Sequence, residues 1–214
     1  MRSIVKNPEP AELLNWKALA NENWAPTYAD LRHPEKGLLL QALLAEQYHC
    51  CCYCGREITE SDSHIEHFRP QSTYEELELE YNNLHASCVR FTDPQQPLHC
   101  GHSKENWFDE ENHISPLQDG CELRFHYLLT GDINPCAKND SAAQAMIDNL
   151  TLNVGYLSNR RKNVLIGMFD EDFLLSATES DLDRIIKEIR VPDNGALTPF
   201  SHVISRFAQQ LRDN

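Results

Sequence analysis

Several things are missing from this chain, and each absence removes a class of explanation. No run of apolar residues approaches the roughly 18 that a membrane-spanning helix needs, so the sequence reads as soluble and globular. The opening Met1-Arg2-Ser3-Ile4-Val5-Lys6-Asn7-Pro8 has no apolar core of the kind a secretory signal carries, which points to the cytoplasm. No repeat, low-complexity tract or long flexible linker stands out. Positive charge is short: 19 Lys and Arg face 33 Asp and Glu, a net charge of −14. Sequence-independent grip on nucleic acid comes mostly from cations that neutralise phosphates. A chain this acidic binds nucleic acid only through locally clustered basic residues or with a partner's help.

What is present is enough for a real core. The chain has 214 residues, 41% apolar and 24% charged, the size of one ordinary domain or a small domain with extensions. The expected fold class is α+β and mostly helical. Residues 1–50 read as N-terminal helices. Apolar spacing through Leu13, Leu14, Trp16, Leu19 and Ala20 predicts one over 10–21, and Pro34 opens another running to about Tyr48. Residues 51–118 form a central core with a strand over 63–68, an acidic loop over 71–80, a turn within 81–88 and a helix starting at 103–109. Residues 119–214 begin with a hairpin, where Leu123, Phe125, Tyr127 and Leu129 alternate before Gly131-Asp132. Helices follow over 141–150, 157–169, 179–190 and 199–211. The three parts read as one continuous globular unit.

The 8 cysteines are clustered. In a chain without a secretion signal, clustered cysteines suggest metal ligands or reactive thiols more than a disulfide framework. Cys51-x-x-Cys54 offers two thiolates across a tight turn, and Cys88 and Cys100 can complete a tetrahedral zinc set if residues 89–99 loop out. The run Cys50-Cys51-Cys52 leaves open whether Cys51 or Cys52 is the first ligand. A redox Cys-x-x-Cys would follow a strand and open a helix in a βαβ unit, and no such unit is visible. Cys121 and Cys136 stand alone and read as small buried thiols.

Between the cysteine pairs lies His64-Ile65-Glu66-His67-Phe68-Arg69-Pro70. Phosphodiester hydrolysis needs an activated water, neutralised phosphate charge and help for the leaving oxygen. A divalent ion supplies the last two, and a neutral histidine can take the water's proton. Glu66 is a hard ligand suited to Mg²⁺ or Mn²⁺, and His67 stands beside it as a base. Asn83 can fix the loop carrying that base through backbone hydrogen bonds. His102 can complete the metal site, and His64, on the same strand face as Glu66, can be a further ligand. His85 and His99 read as structural, and His33, His49, His113, His126 and His202 as ordinary. Arg56, Arg69, Arg90 and Lys104 are the basic residues near these groups.

Taken together, Cys51-x-x-Cys54, Glu66-His67-x-x-Pro70, Asn83-Leu84-x-x-x-Cys88 and Cys100-x-x-x-Lys104 resemble the HNH endonuclease superfamily. More narrowly, residues 64–70 with Asn83-Leu84, His99-Cys100-Gly101, Arg124-Phe125-His126-Tyr127 and Leu150-Thr151-Leu152-Asn153 look like the PtuB group. That group comprises HNH proteins of the Septu anti-phage system and of some retron systems. The motifs cover about a quarter of the chain, and weaker similarity extends over most of it. The resemblance implies a ββα-metal core with a structural zinc at Cys51, Cys54, Cys88 and Cys100. It makes His67 the general base, Glu66 a catalytic metal ligand, Asn83 the orienting residue and His102 the last metal ligand. In many zinc-bearing members that last ligand directly follows the second-pair cysteine; here Gly101 stands there and His102 comes one later.

The resemblance also implies a DNA substrate, a PtuA-like partner ATPase and, in retron versions, a reverse transcriptase with its RNA–DNA. Two alternatives stand beside it: a zinc-stapled interaction module without activity, and a redox or metal sensor using Cys50, Cys51, Cys52 and Cys54.

Overall fold

Pro10 and Pro34 each stand immediately before a helix, where a missing backbone N–H is least costly. Helix α1 spans Ala11–Lys17 and α2 spans Glu35–Glu46. The first is shorter than its apolar spacing suggests, because the chain turns back to pair Asn21 with Trp24. Helix α2 buries Leu39, Leu40, Leu43 and Leu44, which anchors it to the core. These coordinates are a computed structural model and describe residues 1–213.

Strand β1, Ser63–His67, pairs antiparallel with β2, Leu84–Cys88, in the register Ser63↔Cys88 to His67↔Leu84. The sequence suggested only a turn over 81–88. The turn is confined to Tyr81–Asn83, and a strand follows it. All five β2 residues are buried, and although Leu84, Ala86 and Cys88 alternate with His85 and Ser87, the strand holds no β-branched or aromatic residue and follows Asn82-Asn83, a turn signal. Helix α3, Gly101–Lys104, then begins two residues earlier than expected and lasts one turn. Chain order through this region is therefore strand, strand, helix.

The outer edge of β2 is closed by a side chain. Gln47, fully buried, donates to the Ala86 carbonyl (2.8 Å) and accepts from the Ala86 amide (2.8 Å), while Cys52 donates its amide to the same carbonyl (3.2 Å).

In the second half, β3 (Phe125–Tyr127) and β4 (Ile133–Pro135) form the anticipated hairpin, restricted to three residues a side. Gly131 sits at φ +87°, and a Cβ there would lie 1.9 Å from the Ser158 carbonyl oxygen, so only glycine fits. Helices α4 (Ser141–Asn149), α5 (Gly155–Met168), α7 (Glu179–Glu188) and α8 (Ser201–Arg212) lie where periodicity places them. A short α6, Glu171–Ser176, capped by Asp170, was not anticipated. Helices cover 39% of the chain, and the strands form two two-stranded antiparallel sheets, an α+β fold. One cluster of buried side chains runs from Met1 through the hairpin to Ala208. Among the described residues, no helix is long and apolar enough to cross a membrane. Cys121 is buried as expected, but Cys136 is exposed, because it follows the last residue of β4 where the chain leaves the sheet.

Candidate functional site

Cys51, Cys54, Cys88 and Cys100 converge. Their four Sγ atoms lie within 4.8 Å of one another and all four residues are buried. They come from three local devices. Cys51 and Cys54 flank a turn closed by the Gly55 amide donating to the Cys51 carbonyl (3.0 Å). Gly55 has φ +74°, and a Cβ there would meet the His202 ring at 2.3 Å. Cys88 ends β2 and Cys100 stands at the start of α3, with the exposed 90–98 loop between them. Cys52 is outside the group, under β2, and burial pushes its thiol well up; the ambiguity of register resolves to Cys51.

The donor set fits a tetrahedral thiolate metal site. Metal–sulfur bonds of about 2.3 Å place sulfurs about 3.8 Å apart. The Cys54 and Cys88 sulfurs are 3.7 Å apart. Burial penalises thiolates and pushes Cys88 and Cys100 well above the usual thiol range, whereas hydrogen bonds from Cys100, Cys52 and Cys54 outweigh burial at Cys51 and hold it below. Four thiolates this close together and this deeply buried repel one another unless a cation lies between them. His99, whose Nδ1 lies 3.3 Å from Cys100 Sγ and 3.6 Å from Cys88 Sγ, can donate to those sulfurs.

Glu66, on β1, is the centre of a different cluster. Its Oε1 accepts from Tyr53 Oη (3.1 Å) and pairs with Lys104 Nζ (3.1 Å), whose side chain is buried. Its Oε2 faces His64 Nε2 at 3.3 Å. Burial would raise the Glu66 carboxyl, but His64 and Lys104 together hold it below the usual range. Burial would hold His64 neutral, but the Glu66 carboxylate overrides it and raises the ring.

The Val89 carbonyl fixes both neighbouring imidazoles, accepting from His64 Nδ1 (2.8 Å) and His102 Nε2 (2.7 Å). Val89 is at φ +67°, a region a β-branched residue rarely enters. With Nδ1–H committed to Val89, a neutral His64 aims its Nε2 lone pair at a carboxylate oxygen. A cation between them, proton or metal, removes that conflict. The His64 and His102 rings are 4.8 Å apart, but among the described residues His102 is hydrogen-bonded to Val89 and not to Glu66. Gly101 packs against the pair: a Cβ there would lie 2.4 Å from Glu66 Oε2 and 2.7 Å from His64 Nε2.

His67 turns elsewhere, as successive strand residues must. Its Nε2 donates to the Glu78 carbonyl (3.0 Å), its ring packs edge-on against Tyr28 at 4.4 Å, and burial lowers its pKa. That leaves Nδ1 as the acceptor of a neutral imidazole. Asn83 grips the loop that follows, accepting from the Arg69 amide (2.8 Å) and donating to the carbonyls of Arg69 (3.1 Å) and Leu77 (3.0 Å). Lys104 Nζ also donates to the His67 carbonyl (3.0 Å), so one ammonium holds both residues of the Glu66-His67 dipeptide.

Three of the four basic residues singled out from sequence are engaged with carboxylates: Arg56 with Asp62, Arg69 with Glu110, Lys104 with Glu66. Arg90 instead donates to the Glu60 carbonyl (2.8 Å).

Sequence reasoning missed Tyr53, Tyr28 and the Val89 carbonyl. Tyr53 lies inside the Cys51-x-x-Cys54 turn and reads there as filler; the other two carry no motif. No protein-family model matches this chain, and no curated protein matches it.

Proposed function

We propose that the chain is a metal-dependent nuclease of the HNH type, with a structural zinc at Cys51, Cys54, Cys88 and Cys100 and a catalytic Mg²⁺ or Mn²⁺ near Glu66. The observation that carries this reading is the pairing of Glu66 Oε2 with His64 Nε2 at 3.3 Å on a hairpin tied to the four-thiol cluster. Glu66 Oε2 and His64 Nε2 would hold the catalytic ion, and His102, whose ring lies 4.8 Å from that of His64 and whose Nε2 is engaged by Val89, could add a further donor through Nδ1. When bound, that ion would neutralise phosphate charge and help the leaving oxygen.

The chain's own residues supply the rest. His67, neutral and held in one tautomer by Glu78, takes a proton from water at Nδ1. Asn83 fixes the backbone just beyond His67 and so its position. Lys104 and Tyr53 hold Glu66 in place as an anion.

The net charge of −14 favours a partner that brings the substrate. By resemblance that partner is a PtuA-like ATPase, the substrate DNA, the setting anti-phage defence of the Septu or retron kind.

The test is cleavage of plasmid DNA with Mg²⁺ or Mn²⁺, with and without the ATPase. His67→Ala is expected to lower the rate about 10²–10⁴-fold with the far-UV circular dichroism unchanged. Retention of full activity by His67→Ala removes the base assignment. Cutting by the isolated chain as strong as by the complex removes the partner dependence.

A second reading rests on the burial of the Glu66–Lys104 pair, whose side chains are 8% and 1% exposed. A carboxylate so enclosed also suits an inactive zinc-stapled module. That reading expects phage protection to survive His67→Ala.

A further inference from the structure

A cleft of about 550 Å³ opens beside the carboxylate site, between the start of α2 and the edge of the β1–β2 hairpin. Its walls include Tyr28, Lys36, Glu60, His64, Arg90 and Phe91. His64 belongs to both places: it lines the cleft, and its Nε2 meets Glu66. The volume falls in the range of small-ligand pockets, roughly 300–1,000 Å³.

The charge here opposes that of the whole molecule. Glu60 is the one carboxylate in the lining, against Lys36 and Arg90, with His33 and His64 also present. Lys36 Nζ sits 4.4 Å over the Tyr28 ring and makes no ion pair among the described residues. Burial, and then the nearby Arg32 and Arg90, lower its pKa, as expected of a cation crowded by others. Arg90 is steadied by the Glu60 carbonyl and lies 5.5 Å from the Phe91 ring.

Phe91 is 78% exposed at the rim, with the Arg90 guanidinium over its ring. A lone exposed aromatic needs no explanation. One that stands beside an arginine at the mouth of a basic cleft is the arrangement that stacks bases of single strands. In a duplex both faces of a base are covered by its neighbours, so such a platform serves a base that has left the stack.

We propose that this cleft receives one unpaired nucleotide of the substrate strand, its phosphate against Lys36 and Arg90 and its base against Phe91, so that the chain prefers single-stranded nucleic acid. The preference rests on the nuclease reading for its link to cutting; the binding site itself stands on the cleft.

The test uses the full chain carrying His67→Ala, so that no probe is cut. Short fluorescein-labelled oligodeoxythymidine, oligouridine and a blunt duplex are compared by fluorescence anisotropy over a salt series. Either single strand is expected to bind more tightly than the duplex, and the difference between the two tells which sugar is preferred. Phe91→Ala should weaken single-strand binding about tenfold without changing the salt slope, and Phe91→Tyr should restore it. Lys36→Ala should lower the slope of log K against log salt by about 0.7, the value of one lost phosphate contact. Duplex binding equal to or tighter than single-strand binding, no measurable binding, or wild-type affinity in both Phe91→Ala and Lys36→Ala overturns the site.

The two readings fail separately. Cutting of single strands with unchanged KM in both variants overturns the cleft and spares the nuclease. Phe91-dependent binding by a protein that never cuts supports the cleft and removes the nuclease.

Discussion

The four-thiol cluster and the Glu66–His64 pair share one hairpin and one short helix, yet they are built on opposite plans. In the cluster, four soft donors from the Cys51–Cys54 turn, β2 and the start of α3 face one another in a fully buried space, and their neighbours, the Cys88 amide and His99, can only donate to them. At the pair, Tyr53 and Lys104 occupy one carboxylate oxygen, Val89 occupies one nitrogen of each imidazole, and single lone pairs are left over. Ser87 stands between the two, accepting from the Gly101 amide (3.2 Å) with its Oγ 3.9 Å from Cys51 Sγ. A closed donor set is suited to holding structure; a set with donors unspent is suited to binding something transient.

The contrast breaks most visibly at the cluster. Cys54→Ser is expected to abolish the cooperative thermal transition, because structural zinc binding is worth on the order of 10 kcal/mol and is coupled to folding. Wild-type protein should carry one zinc through gel filtration by elemental analysis, and Cys52→Ala should keep it. Zinc-free protein that melts like the wild type would remove the closed-site half of the contrast.

Lys104→Met comes next. It leaves Glu66 buried without its cation and should cost about 3–5 kcal/mol in urea denaturation, with zinc content unchanged. Loss of zinc in this variant would mean that the two sites are one.

Gly101→Ala is the finest probe. Its Cβ would press on Glu66 Oε2 at 2.4 Å and His64 Nε2 at 2.7 Å. The expected cost is about 1–3 kcal/mol, with a raised Mg²⁺ requirement for cleavage. An unaltered metal requirement would show that the leftover lone pairs hold no ion.

How much of this was readable beforehand follows the same division. The thiols were legible because Cys-x-x-Cys is a local device and Cys88 and Cys100 stand with it around the histidine-rich strand, although the choice of Cys51 over Cys52 was not. Helices α2, α4, α5, α7 and α8 were legible from spaced apolar residues and from Pro34 at the head of α2. Strand β2 was not, because its five residues alternate without a β-branched or aromatic residue among them and follow the turn-prone Asn82-Asn83. The environment of Glu66 was legible only in part. Its neighbours His64 and His67 are sequence-local, but Tyr53 lies thirteen positions before it and Lys104 thirty-eight after it. The cleft depends on Tyr28 and Lys36 reaching residues 90–91 across the fold, which no spacing announces. Cys136 was misread because isolation in sequence says nothing about which side of a sheet end a thiol faces.

Gln47 has a consequence for how the molecule meets others. A two-stranded sheet ordinarily offers a bare edge to any extended peptide. Here the outer edge of β2 at Ala86 is already satisfied by a side-chain amide and by the Cys52 amide. A partner cannot join this hairpin by adding a strand at that point, nor can a second copy of the chain begin a fibril there. Recognition at this face is left to side chains, which is a more selective language than backbone pairing.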